Sequence, residues 1–123
     1  MKVEIGPYRD NEAQKVKVQI DDWDAYSADY SLSLIIHPVL IKLKEMNKGH
    51  PASLTADEWD TILDKMIYAF EIKSTFFDSI DACEEHCSDN IMCDECKQCT
   101  TEVQEKMREG FELFGKYYED LWW

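Results

Sequence analysis

Residues 55–70 read TADEWDTILDKMIYAF, and this segment decides the fold that the chain is expected to adopt. Thr55 and Glu58 stand at capping-box spacing, at which a hydroxyl and a carboxylate satisfy backbone amides at the start of a helix. Apolar side chains then recur at steps of three and four residues: Trp59, Ile62, Leu63, Met66, Ile67 and Phe70. Such a stripe is typical of a helix that buries one face. We predict a helix over about 55–80, which continues through Phe76, Phe77 and Ile80.

A second apolar stripe precedes this segment and predicts a helix over about 29–48. Its members are Leu32, Ile35, Ile36, Val39, Leu40 and Leu43. Pro38 lies inside the stripe and removes one backbone donor, so we expect a kink or a break near Leu34.

A third stripe lies near the end of the chain and predicts a helix over about 93–121. Its members are Val103, Met107, Phe111, Phe114, Tyr118 and Leu121. Gly110 and Gly115 should weaken this helix by about 1 kcal/mol each, which burial of the aromatic rings should outweigh.

The N-terminal segment alternates polar and apolar residues, as half-buried strands do. Val3 and Ile5 form one run, and residues 16–20 form the other, so we predict a two-stranded antiparallel hairpin over about 2–20. A hairpin alone is unstable, so its apolar face should lie on the helices. Residues 21–29 are expected to form a loop. The predicted fold class is therefore α+β, mainly α, with the hairpin packed on three or four helices in a single domain, residues 1–123.

The charge of the chain argues against several kinds of partner. It has 26 acidic and 13 basic residues, a formal net charge of −13. Direct binding to nucleic acid and to anionic membranes is disfavoured, because both carry the same sign of charge. No signal peptide or membrane-length apolar run is recognisable, which favours a cytoplasmic product.

The five cysteines are confined to one short segment: Cys83, Cys87, Cys93, Cys96 and Cys99. Short Cys pairs on two adjacent helices bring thiolates together, so a structural zinc that clamps the helices is one interpretation, with His86 as an alternative ligand. Reduced cysteines buried as small apolar residues are a second. Disulfides or an iron–sulfur cluster are a third.

No motif of a known catalytic class is recognisable in the sequence. A cysteine nucleophile is disfavoured because the surrounding carboxylates raise thiol pKa values. His37 is interpreted as an ordinary helix histidine. The acidic residues Asp57, Asp60, Asp64 and Glu71 are interpreted as a solvated helix face.

Four segments together resemble an uncharacterised family of small tailed-bacteriophage proteins: MKVEIGPY at 1–8, IDDWD at 20–24, LDKMIYAFE at 63–71 and GFELFGKYYEDLW at 110–122. Many relatives are longer, and the cysteine segment looks peculiar to this chain. The family carries no assigned activity, so the resemblance implies a phage origin and not a mechanism.

Three functional hypotheses follow. The first is a phage accessory protein that binds a host or phage protein through an acidic surface in the cytoplasm of the infected bacterium, with an inhibitory, host-takeover or counter-defence role. The second is a virion or assembly component, in which aromatic residues near the C-terminus seal a homo-oligomer. The alternative for these rings is that they pack on the hairpin. The third is a small enzyme without a recognisable motif.

Overall fold

The computed structural model describes residues 1–46, 49–75 and 101–122 of the chain. The elements are β1 (Lys2–Ile5), β2 (Val16–Gln19), α1 (Asp22–Tyr26), α2 (Ala28–Met46), α3 (Ala56–Ser74), α4 (Thr101–Lys116) and a 3-10 helix (Tyr118–Asp120). The strands pair in antiparallel orientation. The predicted class, α+β and mainly α, is confirmed.

The central helix α3 begins where the capping box places it. The Glu58 amide donates to Thr55 Oγ1 at 3.2 Å, and the Thr55 amide donates to Glu58 Oε1 at 3.1 Å. Its predicted stripe supplies most of the core: Trp59, Leu63, Met66 and Phe70 are buried. Helix α3 contacts both α2 and α4, so it organises the helical layer. The predicted continuation to residue 80 lies outside the described residues.

Helix α4 packs closely on α3 at a glycine. A Cβ atom on Gly110 would lie 2.4 Å from the Lys65 carbonyl oxygen and 2.5 Å from the Ala69 Cβ. Aromatic rings extend this contact, with Phe70 and Phe114 centroids 4.8 Å apart in an edge-to-face arrangement. The predicted start of this helix, residues 93–100, lies outside the described residues.

Helix α2 runs without interruption from Ala28 to Met46, so the predicted break is not found. Pro38 leaves the Leu34 carbonyl without its amide donor, and water can reach this region because Leu34 is 49% exposed. Two ion pairs join α2 to α3, one between Lys44 and Asp64 and one of 2.7 Å between Asp29 and Lys73. The hydrogen bond from Lys73 lowers the pKa of Asp29.

The α2 stripe is only partly buried. Leu40 is buried, and Ile36 and Leu43 pack partly buried against the core. Leu32 and Val39 are exposed. The apolar stripe of α2 is therefore wider than the surface that α2 buries against the core.

The expected burial of the hairpin on the helices is wrong for the described residues, because all eight strand residues are exposed. The hairpin is instead joined to α1, which the sequence predicted as a loop. The Met1 ammonium nitrogen lies 2.6 Å from Asp24 Oδ2, which also accepts the Asp21 amide at 3.0 Å. A polar contact thus holds the hairpin where an apolar one was expected.

Candidate functional site

Carboxylates collect on one exposed side of α3 and α4. On α3 they recur every seven residues and on α4 every three or four, so each set follows one side of its helix. These seven exposed residues are termed the acidic face: Asp57, Asp64, Glu71, Glu102, Glu105, Glu109 and Glu112. The solvated side of α3 was predicted, except that Asp60 is only partly exposed and buries one oxygen, Oδ1.

Three lysines neutralise part of the acidic face, and one of them is Lys44 of α2, which pairs with Asp64. Lys65 Nζ lies 2.7 Å from Glu109 Oε1, which links α3 to α4. Lys106 Nζ lies 3.0 Å from Glu102 Oε1 on the same helix, and this hydrogen bond raises the pKa of Lys106. Glu105 and Glu112 take part in none of the ion pairs found among the described residues. They therefore present uncompensated negative charge.

A shallow groove of about 260 Å³ runs between the two helices within the acidic face. Its lining residues are Thr61, Asp64, Lys65, Tyr68, Lys106 and Glu109. Lys65 and Glu109 pair across it, so these two charges at the groove compensate each other.

A different side of α4 faces an apolar groove of about 400 Å³ between α2 and the C-terminal residues. Its lining includes Ile35, Val39, Phe114 and Tyr118. An adjoining groove of about 330 Å³ shares Ile36 and Phe114 with it and is also lined by Phe70.

The hairpin presents a second apolar surface. Because Val3 pairs with Val18 and Ile5 with Val16, the side chains of each pair lie on the same side of the ribbon. These four residues and Ile20, which continues the alternation after β2, are termed the apolar hairpin face. Their exposed fractions are Val3 36%, Ile5 61%, Val16 60%, Val18 50% and Ile20 61%. Four β-branched side chains on one side of the two short strands, and Ile20 directly after β2, are thus exposed.

The predicted metal ligands Cys83, Cys87, Cys93, Cys96 and Cys99, and the alternative His86, lie outside the described residues. Within residues 1–46, 49–75 and 101–122, no group of three or more His, Cys, Asp or Glu side chains is placed to hold a metal ion. His37 lies half-buried inside α2, as an ordinary helix histidine would. No helix in the described part of the chain is long and apolar enough to cross a membrane.

The C-terminal rings were assigned by sequence either to the hairpin or to a subunit interface. Tyr117 instead packs on Trp59, with centroids 5.6 Å apart, and Tyr118 packs edge-on against Phe114 at 5.5 Å. Trp122 remains 72% exposed. The rings therefore close the helical core, and Trp122 adds to the exposed apolar surface.

Comparison of the chain with protein-family models, with curated proteins and with solved structures gives no match.

Proposed function

We propose that the protein is a phage accessory protein that acts in the infected bacterium by binding a host or phage protein through the acidic face. The observation that carries the proposal is the arrangement of seven exposed carboxylates, three of them paired with lysines, on one side of α3 and α4. An inhibitory, host-takeover or counter-defence role fits such binding.

The partner is expected to be a protein with a basic surface. Opposite charges steer two proteins together and set their relative orientation, whereas the same field repels nucleic acid and anionic lipid. Exposed and uncompensated groups such as Glu105 and Glu112 contribute most to such a field, because Glu102 and Glu109 are already paired with lysines. The contact should therefore be fast and sensitive to salt.

The test is affinity capture from lysate of the infected host, followed by measurement of the affinity for the captured protein. The variant Glu71→Gln/Glu105→Gln/Glu112→Gln removes three charges from the acidic face and should weaken binding roughly tenfold. The control Glu4→Gln/Glu12→Gln/Glu119→Gln removes the same charge outside that face and should bind nearly as the parent does. Raising salt from about 0.05 M to about 0.5 M should also weaken binding. A captured protein that ignores both the variant and the salt would refute the electrostatic contact.

A role as a virion or assembly component is the second candidate. The exposed apolar hairpin face and Trp122 favour it, because apolar patches on a small protein often mark subunit interfaces. Detection of the chain in purified particles would support this role, and its absence from them would oppose it.

A further inference from the structure

We draw no further inference here: the strongest candidate, the apolar hairpin face on the ribbon of β1 and β2, carries none, because nothing in the structure shows what covers it.

Discussion

Replacement of Gly110 by alanine adds only one methyl group but should clearly lower the free energy of unfolding. A methyl group there meets backbone and side-chain atoms of α3 at 2.4 and 2.5 Å, so the helices must separate. We expect Gly110→Ala to lower the free energy of unfolding by about 1–3 kcal/mol, as overpacked cores do. Urea denaturation followed by circular dichroism measures it.

Gly115 provides the control within the same helix. A Cβ atom there would meet nothing within 4 Å. Gly115→Ala should therefore raise the free energy of unfolding by about 0.5–1 kcal/mol, because alanine has the better helix propensity. Equal effects of the two substitutions would show that the close approach at Gly110 is wrong.

The contact between the Met1 ammonium and Asp24 should weaken at both high and low pH. The hydrogen bond with Asp24 raises the pKa of the amino group above 8.0. The contribution of this contact to the free energy of unfolding is therefore complete below pH 8.0 and is lost as the pH rises through the raised pKa. The same bond lowers the pKa of Asp24 below 3.8, so its contribution is lost as the pH falls through the lowered value.

Replacement of the carboxylate tests this contact. Asp24→Asn should return the pKa of the amino group toward 8.0, as measured by NMR titration of the labelled terminus. Asp22→Asn removes the same charge from α1 and should change that pKa less. If the two variants gave the same pKa, the terminus would not be held by Asp24.

At the scale of the element, α3 depends on its first turn. Thr55→Ala removes the hydroxyl that accepts the Glu58 amide, and it should lower the free energy of unfolding by about 1 kcal/mol. Thr61→Ala removes a hydroxyl that donates only to the Asp57 carbonyl on the exposed surface of α3, and because alanine has the better helix propensity it should leave the free energy of unfolding within a few tenths of a kcal/mol of the parent value or raise it. Thermal and urea unfolding compare the two, and an equally small effect would contradict the capping role.

The elements that sequence predicts well are those with a long apolar period. Helix α3 has both the cap at Thr55 and a stripe that is buried as predicted. Helix α1 was missed because five residues are too short to show a period. The spacing of Asp21 and Asp24, which the structure joins by a hydrogen bond, was the available signal.

Other features could not be read from the pattern because they depend on partners distant in sequence. Alternation in β1 and β2 predicted the strands, but it cannot say what covers Val18 or Ile5. Gly110 was interpreted only as a weak point of the helix. Its close approach to Ala69 appears only when α3 and α4 are placed together.

For the whole molecule, the net charge predicted an acidic surface, and among the described residues α3 and α4 carry one such surface. Sequence alone placed the solvated residues Asp57, Asp64 and Glu71 on one side of α3. It did not predict that α4 brings four more carboxylates beside them, since that depends on the docking of the helices.

The structural zinc stays a prediction, because its five candidate cysteines lie outside the described residues. Elemental analysis of protein purified without added metal should give about one zinc per chain. Removal of the metal by a chelator should lower the melting temperature, since a structural ion stabilises the fold that binds it. If the protein contained no zinc as purified, and its melting temperature did not change on addition of a chelator, a structural zinc between the helices would be excluded.

The two-stranded ribbon also has two edges, because within residues 1–46, 49–75 and 101–122 each strand pairs with a neighbour on one side only. Backbone amides and carbonyls along such edges can template further strands, and lysine charges together with short strand length are common protections against fibril growth. Lys2 and Lys17 lie within these four-residue strands. Acylation of the Lys2 and Lys17 amines would remove these positive charges. Acylated preparations of this protein should therefore form cross-β aggregates more readily than unmodified ones.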